Sequence, residues 1–236
     1  MASSLECIIG KNVFIFDTET TGLPERVPGA MWGSANEYWP YTMNEKYNKS
    51  RIVSCAWSYY NSFSKLTLLE NPIKHYIRCP EGFDEIPTSH IHGITYDIAV
   101  SKGVPFNDIF ENNGLYDALI ASEYIIAHNI FFDIYILLNE LYRLKTEHAT
   151  QTILHIKSLM ALNRCICTGN LSKDICKLEF NNYKYNTNNK KKAKIYKMPK
   201  LSELYKHYYK TDIENAHTAD GDVKTLMLCL LKMIDT

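Results

Sequence analysis

Two acids stand two residues apart in Asp17-Thr18-Glu19, directly after the apolar run Val13-Phe14-Ile15-Phe16. On an extended strand residues i and i+2 project from the same face, so both carboxylates can reach one point. Oxygen donors of this kind suit hard divalent cations such as Mg2+, and phosphoryl chemistry commonly uses a metal pair about 3.5–4 Å apart. Alone, the pair is weak evidence, because strand ends often carry solvated acids. It gains weight from ending a buried apolar strand and from the Gly22-Leu23-Pro24 turn beyond it. Further along, Asp133 stands four residues after His128-Asn129, and Asp222 five residues after His217. Histidine is suited to accepting a proton because its unperturbed pKa, about 6.5, lies near physiological pH. In isolation His217 reads more readily as a surface or capping residue.

These groups need elements to bring them together. Residues 12–16 read as a buried central strand, 51–60 and 63–70 as a hairpin turning at Asn61-Ser62, and the stretch near 73–78 as a third strand. Residues 105–120 carry helical spacing and 123–127 form a short apolar strand, so His128-Asn129 falls where that strand passes into the helix over 130–144. Helices over 151–162 and 171–178, with a short strand at 164–168 between them, are expected next. Helices over 201–209 and 221–233 close the chain. Residues 25–50 show no period and read as an ordered insertion. The run over 181–200, rich in Asn, Lys and Tyr, reads as a basic loop. The 236 residues fit a single domain.

Three segments in order resemble the DEDDh exonucleases, the group that includes bacterial polymerase proofreading subunits. They are Phe16-Asp17-Thr18-Glu19-Thr20-Thr21-Gly22-Leu23, then Ala127-His128-Asn129-Ile130-Phe131-Phe132-Asp133, then His217-Thr218-Ala219-Asp220-Gly221-Asp222. Weaker echoes are Arg51-Ile52-Val53, His92-Gly93-Ile94-Thr95, and Pro199-Lys200-Leu201. The resemblance implies an α/β, RNase H-like fold, a mixed five-stranded sheet flanked by helices. It implies a 3'-to-5' exonuclease that releases nucleoside monophosphates from DNA with two Mg2+ or Mn2+ ions. Asp17 would bridge both ions, Glu19, Asp133 and Asp222 would complete the metal shells, and His217 would be the general base. Thr18, Leu23 and Asn129 would meet substrate. Asp220, three after the histidine, departs from the pattern and reads as a helix N-cap.

Composition narrows the remaining possibilities. Lys plus Arg and Asp plus Glu each number 26, so bulk charge does not attract a polyanion and any nucleic-acid contact must be local. The loop lysines Lys190, Lys191 and Lys192 with interleaved tyrosines could supply it, whereas Trp32, Trp39 and Tyr41 read as packing within the insertion. Seven scattered cysteines, Cys165 and Cys167 among them, fit core positions in a reducing compartment, cytoplasmic or nuclear. No apolar stretch reaches the ~18–20 residues of a membrane span. The partner expected is a nucleic acid 3' end, single-stranded DNA first, with a polymerase or replication partner alongside. RNA is the alternative substrate. The rival of another class is an inactive binding module of the same fold, which would lack a ligand; all five catalytic positions are filled.

Overall fold

The computed structural model describes residues 5–179, 196–213 and 217–235. The strands are β1 (Val13–Thr20), β2 (Ile52–Tyr60), β3 (Lys74–Ile77), β4 (Tyr124–Ala127) and β5 (Cys165–Cys167). Between β3 and β4 run four short helices, α1 (Ser89–His92), α2 (Tyr96–Lys102), α3 (Phe106–Glu111) and α4 (Leu115–Ala121). The longer α5 (Ile130–Leu144) and α6 (Glu147–Ala161) precede β5. Two single turns, α7 (Thr168–Leu171) and α8 (Lys173–Cys176), follow it, and α9 (Leu201–Tyr209) and α10 (Ala219–Ile234) come last.

The sheet order is β3-β2-β1-β4-β5, with β1 antiparallel to β2 and parallel to β4. This is the mixed five-stranded, helix-flanked RNase H-like arrangement. Strand alternation splits the core. Phe14 and Phe16 pack with Ile134 and Leu138 of α5 on one face, while Val13 and Ile15 pack with Val223, Leu226 and Leu230 of α10 on the other. Burying both faces explains why β1 is a continuous apolar run rather than an alternating one. The strand continues through Asp17 and Glu19, and its register with β2 shifts between Glu19 and Thr20. A bulge of this kind re-aims side chains at a strand end.

Several expected boundaries move. Residues 63–70 are not a strand. Phe63 and Leu68 are buried, but the backbone turns, with the Phe63 amide bonded to the Lys11 carbonyl at 2.7 Å. The hairpin partner of β2 is β3 instead. The helix expected over 105–120 breaks between Glu111 and Leu115, where Gly114 takes φ 85°, open to glycine and strained for other residues. The next helix starts at Glu147, earlier than its period suggested, because Thr146 caps it by accepting from the Ala149 amide. The helix expected over 171–178 is two separate turns. Most of the basic loop at 181–200, Lys190, Lys191 and Lys192 included, lies outside the described residues. The insertion at 25–50 is ordered and irregular, with single turns at Ala35–Glu37 and Asn44–Lys46. Among the described residues no helix is long and apolar enough to cross a membrane.

Candidate active site

Asp17 and Glu19 continue the face of β1 that Val13 and Ile15 turn toward α10, and Asp222 comes from the first turn of that helix. One carboxylate oxygen from each of the three lies within 4.8 Å of the other two. Thr218 starts α10, its hydroxyl accepting from the Gly221 amide at 3.2 Å and its carbonyl from the Asp222 amide at 2.8 Å. Thr218, not Asp220, is therefore the N-cap, since the chain turns helical before Asp220. Asp220 instead pairs with His75 Nδ1 at 3.4 Å, and the Nε2 of that ring shares a 2.8 Å hydrogen bond with the Ser54 hydroxyl.

Thr18 points to the opposite face, where α5 begins. Asn129, at φ 63°, turns the chain out of β4 into that helix. Asp133 on its first turn is buried, and its Oδ1 accepts from both the Thr18 amide (3.1 Å) and the Thr18 hydroxyl (2.7 Å). The fourth carboxylate thus hangs on the residue between the first two. At the far end of β1, Gly22 runs against the Lys49 carbonyl, which a Cβ there would approach to 2.6 Å, so no side chain fits. The Thr20 carbonyl accepts from the Thr88 hydroxyl at 2.5 Å, and Thr88 meets His92 Nε2 at 3.0 Å. The Ile94 amide donates to His92 Nδ1, which assigns the ring proton to Nε2. That ring is buried and its pKa is lowered accordingly.

The electrostatics follow from four acids in a partly dry site. Burial raises Asp17, and the charges of Asp133, Asp222 and Glu19 raise it further. Glu19 is pushed up to about 8 by burial, then by Asp222 and Asp133. Asp133 rises to about 7 through burial, against the lowering effect of its two Thr18 hydrogen bonds. Asp222 is raised by burial and partly relieved by His217. Like charges this close resist ionising together unless a cation compensates them. The donors are all oxygens, which fits a hard divalent ion.

The other sequence candidates are placed as follows. His217 is exposed at φ 70°, immediately before the Thr218 cap. Leu23 is exposed beyond the Gly22 turn, and the Thr18 hydroxyl is engaged by Asp133. Asn129 Oδ1 is buried with no hydrogen bond from the described residues. His128, held near 4 by burial, bonds the Thr168 hydroxyl (3.1 Å) and the Pro199 carbonyl (2.8 Å) and serves the packing. Cys165 and Cys167 are free thiols, half-buried and buried. His75 was invisible in the sequence, because only the sheet order brings β3 alongside Ser54, the register partner of Glu19.

The chain resembles exonuclease I in fold. It aligns with E. coli exonuclease I in complex with a dT13 oligonucleotide over 94% of this chain and 41% of that one, at 17% identity and TM-score 0.58. The zinc-bound form of the E. coli exonuclease I–ssDNA complex gives TM-score 0.55 and 18% identity over 94% and 40%. Another exonuclease I structure, interpreted in terms of processivity, gives 0.59 and 15% over 95% and 42%. The chain therefore spans less than half the length of these proteins. No protein-family model matches the sequence, and no curated protein matches it.

Proposed function

We propose that this chain is a metal-dependent 3'-to-5' exonuclease of the DEDDh type acting on single-stranded DNA. The observation that carries the reading is the convergence of Asp17, Glu19 and Asp222 within 4.8 Å, with Asp133 fixed to the intervening Thr18. Exonuclease I structures holding single-stranded oligonucleotides support the choice of substrate. The same comparisons lend no support to a polymerase partner.

In this reading Asp17, Glu19, Asp133 and Asp222 would hold two divalent ions, Mg2+ or Mn2+. Bound there, the ions would supply Lewis acidity to the attacking water and to the departing oxygen. Thr18 orients Asp133 and favours its ionised form against the effect of burial by giving two hydrogen bonds to Oδ1. His217, exposed at the mouth of the cluster, accepts the proton of the attacking water. Leu23 and Asn129 would meet the terminal nucleotide, Leu23 from its exposed position beyond the Gly22 turn.

The test is incubation of purified protein with 3'-labelled and 5'-labelled DNA and RNA strands, in Mg2+, in Mn2+ and in EDTA. Stepwise loss from the 3' end of DNA, abolished by EDTA, is expected. Faster digestion of RNA would reassign the substrate. Undiminished cleavage in EDTA would end the metal mechanism.

A further inference from the structure

The insertion at 25–50 contributes two exposed apolar groups, Met31 and Trp32, and Leu23 is exposed just before it. Trp39 and Tyr41 are half-buried: the Lys46 ammonium lies 5.2 Å from the Trp39 ring centroid, and the Tyr41 ring meets Tyr142 edge-on. Trp32 is more exposed than either. Its ring is 51% exposed, yet one side is covered by the Arg26 guanidinium, 4.4 Å from the ring centroid.

That stack is built from below. Glu37, whose side chain is only 2% exposed, pairs through Oε1 with Arg26 Nε at 2.5 Å and accepts from the Gly33 amide through Oε2 at 2.6 Å. One buried carboxylate thus fixes both the cation under the ring and the residue after it. The next residue, Tyr38, stacks on Tyr135, two positions beyond Asp133 on α5. On the other side, Asn170 of α7 donates to the Gly33 carbonyl at 2.9 Å. The insertion is therefore stitched across the end of the sheet from β1 to the segment after β5. Lys49, whose backbone carbonyl abuts Gly22, is exposed and has no ion pair among the described residues.

We propose that the free face of Trp32 is a stacking site for a nucleobase of the substrate strand, upstream of the terminal nucleotide. This rests on the exonuclease reading above. Every base has a π-face, so such a platform grips a single strand without reading its sequence. A duplex keeps its bases inside its own stack and cannot use the platform. The guanidinium beneath the ring and the buried carboxylate beneath the guanidinium hold the indole in place before the strand arrives, which lowers the ordering cost of binding.

The experiment measures binding of labelled oligothymidines, one of about ten nucleotides and one a dinucleotide, to the cleavage-blocked Asp17→Asn protein. Trp32 is compared with Trp32→Leu and Trp32→Phe in that background. Trp32→Leu should weaken the longer strand by roughly 5- to 150-fold, the range for losing one base stack, and the dinucleotide by much less. Trp32→Phe should recover most of the affinity, which separates stacking from misfolding. Indole fluorescence should be quenched by the longer strand with Trp32 present, and that quenching should vanish in Trp32→Phe. Equal affinity of the longer strand for Trp32→Leu and its parent, equal losses on both strands, or quenching that persists in Trp32→Phe would each overturn the proposal while leaving the exonuclease reading intact. No binding by the parent together with no cleavage by the wild-type protein would overturn both.

Discussion

Thr18 lies between Asp17 and Glu19 in sequence and turns away from both. Its amide and hydroxyl go to Asp133, 115 positions along the chain, so the middle residue of the first motif fastens the acid of the second. The two-residue spacing of the acids was legible because strand geometry fixes which side chains share a face. The Thr18 contact was not, since a hydroxyl beside a carboxylate gives no sign of which distant partner it meets. His217 holds a left-handed conformation that asparagine also tolerates, so His217→Asn keeps the backbone and removes the proposed proton acceptor. Turnover should fall by roughly 100- to 10,000-fold, while calorimetric Mn2+ titration stays near the wild-type curve. Wild-type turnover in this variant would remove His217 from the mechanism. The carboxylates also make a stability prediction. Glu19 rises from the usual 4.5 to about 8 and Asp133 from 3.8 to about 7, so the folded state binds more protons than the unfolded one between those values. Stability without metal must then decline as pH rises from about 4.5 to 8. Thermal melts in EDTA should shift downward over that window, and added Mg2+ or Mn2+ should raise Tm more at pH 8 than at pH 5. A metal-free Tm that climbs across the window would show that the four acids do not crowd one another.

The helix that carries Asp133 is clamped to the sheet by charge as well as by its apolar face. Glu140 of α5 is buried and accepts from Arg51 Nε at 2.7 Å and Nη2 at 2.9 Å, and it forms an ion pair with Arg78, whose Nη1 is 2.7 Å from Oε2. Arg51, just before β2, accepts from the amide of Thr21, just after β1, and donates its own amide to the Thr21 hydroxyl, and exposed Glu81 closes the network from outside. The paired guanidinium groups hold the Glu140 carboxyl below its usual range despite burial. Removing one member strands buried charge, so Glu140→Gln should cost about 3–5 kcal/mol in denaturant unfolding. A loss below ~1 kcal/mol, the scale of a surface pair, would contradict the clamp. Of these elements, α5 was readable to its ends because an unbroken helical period fills it. Glu140 was not, for a charged residue on an amphipathic helix ordinarily faces water. Residues 63–70 misled for the converse reason: Phe63 and Leu68 have strand-forming side chains, yet they plug the core from a turning backbone.

On the scale of the whole molecule, the hydropathy pattern yields strands and helices but not their order, and the β3-β2-β1-β4-β5 sheet became legible only through the three motifs. That order brings the ends of β1 and β4 together and sets α5 and α10 on opposite faces, so that acids from sequence positions 17 to 222 meet. The insertion at 25–50 crosses this end of the sheet, and net charge is zero, so the proposed affinity for a polyanion would have to come from placed contacts such as Trp32. On the proposed function, the converging carboxylates cut nucleic acid from its 3' end. The most direct measurement is the product ladder of a 5'-labelled single-stranded DNA in Mg2+, followed over time with wild-type protein and with Asp17→Asn prepared identically. The wild type should shorten the label one nucleotide at a time from the 3' end, and Asp17→Asn should leave it at full length. Internal cuts, no cleavage by the wild type, or the same ladder from both proteins would contradict the account.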